Sequence, residues 1–381
     1  MVRTPRLFMA SLAAIGMAWA VIVSVDARTA RADDGIVIKV GTLAPEGTPW
    51  YEVIQEVGAK WKKASGGRIS FTIFGGGVQG DEADMIRKMR YDQLQMGAFT
   101  SVGLETITPE MSALWIPLLF QNYEELDYVR SKLDARLEKA LGDKGFVVLN
   151  WGDAGWVKYF AKKPIPTLKA LQDQTLFTWS GDSKSEEMYK DAGFKVQPLA
   201  PTEILTSLQT GMIEAFPAPA TAALANQWFG LAKHMLDIKF APVVGGTIIT
   251  KKAWDGIDRG LQPTLLKLAL ETGAKFTPQI RKLETDAIDA MVKRGLKIYP
   301  LTPQADQEWR QLADRFYPKI RGSIVPADLF DEVRRLVAEY RAQNPAAAKK
   351  DAPTPGAAKT DAAKPGAAKK APPKPASPVK K

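Results

Sequence analysis

Two segments of this chain repeat one design, in which a helix ends at a glycine and the chain re-enters a strand. They are DEADMIRKMRYDQLQMGAFTS (81–101), with the helix predicted to end near Gly97, and PTEILTSLQTGMIEAFPAP (201–219), with Gly211 in that role. In open α/β sheets, ligands bind beyond strand ends such as Thr100-Ser101. The pair predicts two lobes that grip one ligand from both sides. Ordinary connections within a larger enzyme fit the same pattern.

The remainder of residues 33–344 alternates strands and helices. Thr48 is a typical N-cap, Pro49 suits the first turn, and Gly66-Gly67 ends that helix. Short runs of β-branched and aromatic residues predict strands at 36–40, 69–73, 146–150 and 175–179. This alternation is typical of an α/β fold with mostly parallel strands.

The two ends of the chain differ in composition from the body. Residues 1–32 have the pattern of a secretory signal, with Arg3 and Arg6 before an apolar run and Ala30-Arg31-Ala32 at the cleavage positions. A retained anchor helix is the alternative. Residues 345–381 are mostly Lys, Ala and Pro, which predicts a disordered tail. Cysteine is absent, which excludes a lipoprotein anchor and a disulfide framework and suits a stable periplasmic body.

The formal net charge of +10 belongs entirely to these two ends, so residues 33–344 are neutral as a whole. A neutral body gives no support to nucleic-acid binding. The basic tail fits either a weak contact with anionic envelope polymers or a solvated spacer.

Enzyme chemistry finds little support in the residue types. His234 is the one histidine in the sequence, and with no cysteine both Cys-His catalysis and a His-rich metal site are excluded. Asp81, Glu82 and Asp84 allow a carboxylate-based hydrolase, but they precede a helix whose N-terminus acidic residues stabilise. We expect His234 to pack or cap a helix end. No nucleotide motif, cofactor or metal site is predicted.

Four stretches carry a family resemblance, and together they are specific. They are GGGVQGDEADMIRKMRYDQLQMGAFTSVG at 75–103, LWIPLLFQNYEE at 114–125, GW at 155–156 and PLAPTEILTSLQTGMIEAF at 198–216. Through them the chain resembles the DctP-type solute-binding proteins of tripartite ATP-independent periplasmic (TRAP) transporters over nearly all of 36–300.

The resemblance implies a two-lobed periplasmic-binding-protein-like fold, with mostly parallel sheets, a hinge and a long connecting helix. Lobe 1 would comprise 33–154 plus 242–283, and lobe 2 would comprise 155–241 plus 284–344. It implies a monomeric periplasmic receptor that captures a small organic solute by cleft closure and delivers it to the TRAP membrane permease, which an ion gradient drives. A sensor that docks on a signalling receptor, or an envelope protein tethered by the tail, would share these sequence features.

The resemblance also locates the solute anchors. The arginine with which the family clamps a carboxylate aligns with Phe177, a second family arginine with Val157, and an assisting asparagine with Ala218. Neither Phe nor Val offers the paired charge-assisted hydrogen bonds of a guanidinium, and a carboxylate buried without them is strongly destabilised. A less acidic or more apolar solute is implied, unless Lys158 or Arg87 compensates.

An aromatic cleft lining is the corresponding positive expectation. The residues that the family aims at the cleft are Phe177, Trp179, Trp156, Val157 and Phe216, with Trp50 and Trp115 at its border. Such rings grip an apolar or ring-containing solute by burial and stacking. Thr100, Ser101, Thr178 and Ser180 are the expected polar contacts. Core packing is the alternative for each of the rings.

Overall fold

The computed structural model describes residues 35–345. The predicted signal segment lies outside the described residues, as does the predicted tail beyond Pro345. Within this described range, no helix is long and apolar enough to cross a membrane.

The strands of the described chain join into one sheet. In chain order they are β1 (Ile36–Thr42), β2 (Ile69–Phe74), β3 (Met96–Thr100), β4 (Phe146–Ala161), β5 (Thr175–Trp179), β6 (Lys195–Leu199), β7 (Ala215–Pro219), β8 (His234–Asp237), β9 (Pro242–Thr250) and β10 (Lys297–Pro300).

Helices cover the faces of this sheet. They are α1 (Pro49–Ala64), α2 (Glu82–Arg90), α3 (Ser101–Glu105), α4 (Tyr123–Asp143), α5 (Leu168–Gln172), α6 (Ser183–Asp191), α7 (Ile204–Thr210), α8 (Ala220–Ala225), α9 (Lys251–Asp255), α10 (Gln262–Val292), α11 (Pro303–Ser323) and α12 (Ala327–Gln343). Short 3₁₀ turns lie at Pro109–Trp115, Pro201–Glu203 and Trp228–Gly230.

The sheet has a parallel region at each end and an antiparallel middle. Its strand order is β2-β1-β3-β9-β4-β7-β5-β6, and β8 and β10 join at the side of β4. The pairings β2-β1-β3 and β7-β5-β6 are parallel, whereas β9 and β4 pair antiparallel with each other and with their neighbours. The predicted α/β class with mostly parallel strands is confirmed.

Strands β4 and β9 therefore connect the two parallel regions. The register of their pairing shifts between Asp153 and Gly155, and Gly155 has a φ of 104°. The 31-residue helix α10 packs along the same junction, against α1, β4 and α8. Such a bulge on a crossing strand is where the chain can bend, so it matches the place of the predicted hinge.

Two local predictions need correction. Helix α2 ends at Arg90, not near Gly97, and Gly97 lies inside β3. The chain turns at Asp92, which has a φ of 61°. Gly97 is needed instead for packing, because a Cβ there would lie 2.1 Å from the Phe99 ring. The second unit behaves as predicted at its glycine, since Gly211 is the left-handed C-cap of α7, but its strand begins only at Ala215.

The C-terminal helix bears on the proposed lobe division, which stays a prediction. Helix α12, assigned to lobe 2, packs on α4, assigned to lobe 1. Arg341 of α12 donates to both oxygens of the buried Glu125 carboxylate, at 2.8 and 2.9 Å. Helix α11, also assigned to lobe 2, packs within that lobe instead, because its Trp309 stacks on Tyr159 of β4 with ring centroids 5.2 Å apart.

Gly155→Ala should destabilise the protein by about 1–3 kcal/mol, because a non-glycine residue is strained at this positive φ. Gly152→Ala on the same strand is the matched control, since its φ is not positive and an added Cβ meets no atom within 4 Å. Urea unfolding of both variants measures the effect. Equal free energies of unfolding for the two variants would show that the backbone at Gly155 is not strained.

Candidate functional site

A cavity of about 500 Å³ lies where the two parallel regions face each other. The end of β3 contributes Thr100, β5 contributes Phe177, β7 contributes Ala218, and the crossing strands and α10 close the remaining sides. A volume of this size is typical of small-molecule sites. The strand ends that the sequence singled out thus meet at one cavity.

Most of the predicted site residues line this cavity. They are Phe177, Trp179, Val157, Ala218, Thr100, Ser101 and Trp50, together with Trp115 and Thr178. Phe177 is only 5% exposed. Trp50 is fixed by a hydrogen bond from its indole Nε1 to the carbonyl of Asp153, at 2.9 Å.

The prediction is wrong for Trp156, Lys158 and Phe216, none of which lines the cavity. Trp156 and Lys158 lie on the face of β4 opposite to Val157, but alternation alone does not explain their absence, because Ala218, which pairs directly with Lys158, does line the cavity. Trp156 packs on Tyr123, with centroids 5.4 Å apart. Phe216 is fully buried and stacks on Phe160 at 5.2 Å. Ser180 and Arg87 also lie outside the lining.

Lys158 is neither a solute anchor nor an exposed strand residue. It is 4% exposed, and its Nζ lies 2.6 Å from Asp237 Oδ1 and 4.0 Å from Glu284 Oε1. Its charge is therefore occupied by partners distant in the sequence.

Several further aromatic rings of the lining were not predicted from the sequence. Phe99, Trp151, Tyr189, Trp228, Phe240 and Phe276 also line the cavity. They lie on six different elements or connections, and no local spacing marks them as neighbours. The lining is therefore more aromatic than predicted.

The charged groups of the lining are all acidic. Among the described residues around the cavity, Glu82, Asp153 and Asp182 are charged, and none is Lys, Arg or His. Asp153 is already neutralised, since its Oδ2 accepts from Arg281 Nε at 2.7 Å and its Oδ1 lies 3.6 Å from Arg130. Arg281 in turn forms two hydrogen bonds with Asp127.

Glu82 joins α2 to the end of β3. Its carboxylate accepts from the Thr100 backbone N at 2.8 Å and from Thr100 Oγ1 at 2.7 Å. Burial raises the pKa of Glu82 to about 7, although these hydrogen bonds act in the opposite direction. Glu82 thus holds the polar pair Thr100 and Ser101 at the cavity wall.

Four polar atoms of lining residues are buried without a hydrogen-bond partner. They are Thr178 Oγ1, Ser185 Oγ, Asn150 Nδ2 and Asp153 Oδ1. Buried polar atoms are normally satisfied, so such exceptions mark this wall as unusual.

The acidic residues and the histidine considered above as enzyme groups make structural contacts. Asp81 caps α2 by accepting from Asp84 N at 2.8 Å, as predicted. His234 lies in β8 and shares a hydrogen bond with Tyr299 Oη at 2.9 Å, so it packs but does not cap a helix. Across residues 35–345, no group of three or more His, Asp or Glu side chains could hold a metal ion.

Solved structures share this fold. The sugar acid binding protein DctPAm from Advenella mimigardefordensis, in complex with galactonate, is similar with a TM-score of 0.76 at 16% identity. The match covers 80% of this chain and 99% of that one. The fold is that of a two-lobed solute-binding protein, as predicted.

The family follows from the sequence match. Residues 40–322 match the family model DctP, bacterial extracellular solute-binding protein, family 7. The chain belongs to this family of TRAP solute-binding proteins. Because its members are periplasmic solute receptors, the protein is a periplasmic receptor and not an enzyme.

Curated relatives are distant. The 2,3-diketo-L-gulonate-binding periplasmic protein YiaO of Escherichia coli is 24% identical over 242 residues, which is 61% of this chain and 71% of that protein. An uncharacterised protein of Sinorhizobium fredii is 23% identical over 235 residues. The chain spans 42% of that second relative's length.

The raised pKa of Glu82 predicts a pH-dependent stability. Between its ordinary pKa of 4.5 and about 7, the native protein holds this proton more tightly than the unfolded chain, so stability falls as pH rises. Glu82→Gln is neutral at every pH. Its free energy of unfolding, relative to that of wild type, should therefore increase by about 2 kcal/mol from pH 5 to pH 7, as measured by urea unfolding.

Glu56→Gln is the control. Hydrogen bonds from Lys60 and Lys275 hold the pKa of Glu56 below its usual value, so its stabilising charge is complete above pH 5. The difference in the free energy of unfolding between this variant and wild type should stay constant from pH 5 to 7. A constant difference for Glu82→Gln as well would contradict the raised pKa.

Proposed function

We propose that this protein captures a ring-containing solute, less acidic or more apolar than the carboxylates typical of the family, in the cavity and delivers it to a TRAP membrane permease. The observation that carries the proposal is the chemistry of the three family anchor positions. Phe177, Val157 and Ala218 all line the cavity, and all three are apolar. The positions of the carboxylate clamp are kept while its charge is gone.

No other cation takes over that role in the described lining. Arg281 lies nearby but is bound to Asp153 and Asp127, and Lys158 is bound to Asp237 on the other face of β4. Recruiting either one would leave a buried carboxylate without its partner, which costs several kcal/mol. Sugar acids, which the relatives YiaO and DctPAm bind by their names, are therefore disfavoured here.

The rings supply the alternative source of affinity. Each aromatic side chain that a solute covers contributes through buried area and through stacking or edge-to-face contact. Tryptophans from three separate segments, Trp50, Trp179 and Trp228, surround one cavity. A planar or ring-containing solute fits this wall better than a flexible polyhydroxy acid.

Solute capture would close the two lobes about the junction at Gly155. The boundaries proposed above place the division at the register shift of β4, at the start of β9 and within α10. We also propose that the body is monomeric and that the tail contacts anionic envelope polymers. Loss of solute uptake on gene deletion would distinguish delivery to a permease from a purely sensory role.

A matched pair of variants tests the pocket. Phe177→Leu should weaken binding of aromatic solutes about tenfold or more, because it removes the ring that replaces the clamp. Phe330→Leu makes the same change at a buried ring outside the cavity, so it should lower the unfolding temperature without changing Kd. Tryptophan fluorescence titration with aromatic alcohols, aromatic acids and sugar acids measures both.

Tight binding of sugar acids that survives Phe177→Leu would overturn the proposed solute class. Equal weakening by both variants would instead show that Phe177 acts through the core and not on the solute.

A further inference from the structure

We infer that the solute carries a positive charge: an organic ammonium group, primary or quaternary, that sits against ring faces with Asp182 as its counter-ion. This inference rests on the proposed function, because it names the solute class of the same cavity. The carboxylate of Asp182, its surroundings and the absence of competing cations carry it.

Asp182 is a buried carboxylate without a cation. It is 8% exposed and lines the cavity at the turn between β5 and α6. Its Oδ1 accepts from the Ser185 backbone N at 2.9 Å, and no hydrogen bond or ion pair within the described chain reaches its Oδ2. This oxygen is therefore available to accept a hydrogen bond from a solute.

A second carboxylate lies within electrostatic reach. Glu105 accepts from Ser112 Oγ at 2.6 Å and from Nε1 of the cavity residue Trp115 at 3.3 Å, both through Oε2. Burial first, and then the charge of Asp182, raise the pKa of Glu105 to about 7. A cation placed near Asp182 would relieve this repulsion between the two groups.

The nearest lysine does not neutralise the pair. Lys184 acts on Glu105 at a distance, but its ammonium donates to the backbone carbonyl of Ser323, and Lys184 is not part of the lining. Around the cavity the described residues offer no Lys, Arg or His that would repel a cationic solute.

Unpartnered oxygens adjoin the same carboxylate. Thr178 Oγ1, on the strand before Asp182, and Ser185 Oγ, three residues after it, belong to lining residues that are 4% and 6% exposed. Both hydroxyls can accept a hydrogen bond from an N–H group.

The rings favour the same charge. Ring faces carry negative potential and attract cations, most strongly when the ring is tryptophan and the site is desolvated. Trp115 is tied to Glu105, and the backbone carbonyl of Trp179 accepts from Asp182 N at 3.0 Å. Both tryptophans therefore border the acidic pair.

Three matched compounds test the charge directly: 3-phenylpropylamine, 3-phenylpropanol and 3-phenylpropionate share one ring and differ at the end group. Isothermal titration of the purified full chain should give the amine a Kd at least about tenfold below that of the alcohol. Asp182→Asn should abolish this preference, so that the Kd of the amine rises to that of the alcohol measured on the same variant. Asparagine still caps a helix, so the variant should fold.

Asp81→Asn is the control, because it makes the same change at the N-cap of α2, outside the cavity, and should keep the preference. Binding of the alcohol as tightly as the amine, or no detectable binding of the amine at millimolar concentration, would overturn the positive charge while leaving a neutral solute open. Tightest binding of the propionate would overturn both this inference and the proposed function.

Discussion

The buried carboxylate of Asp153 holds the junction of this structure together. It lies on the crossing strand β4 and pairs with Arg281 of the long helix α10 and with Arg130 of α4. Its backbone carbonyl accepts from the indole of Trp50 on α1. Removing one partner of such a buried pair would leave a charge without compensation, which costs several kcal/mol. The same interaction also occupies the guanidinium nearest to the cavity, so the joint between the lobes and the polarity of the site are linked.

The cavity combines an inherited shape with altered chemistry. The strand ends meet at the cavity, Phe177 is proposed to stand where the clamp would be, and the charged lining residues are acidic. A guanidinium is specific for a carboxylate because it offers two parallel donors. Replacing it by a ring removes that specificity and leaves contact area and the remaining charges to select the solute. Family membership therefore defines how the protein binds, while a few side chains define what it binds.

Much of the fold was predictable, because it depends on local patterns. Strand β5 and the N-terminus of α1 lie where the sequence placed them, and Gly211 ends its helix. The site was less predictable. Trp156 and Lys158 flank Val157 in sequence, yet neither lines the cavity, because Trp156 packs on Tyr123 and Lys158 pairs with Asp237. Lys158 finds Asp237 and Glu284 only through the packing of β8 and α10 against β4, contacts that no spacing in the sequence announces.

By itself the sequence determined the class of fold and the helix end at Gly211, and it is the basis of the proposal that the arginine anchors are lost. These depend on residue type and on periods of a few residues, which local sterics and hydrophobic patterning control. Only the tertiary structure decided which aromatic rings face the cavity, which charges are neutralised and which, like Asp182, lack a cationic partner among the described residues. Those outcomes depend on side chains brought together from segments far apart in the chain, and burial and pairing energies exist only once the elements have packed.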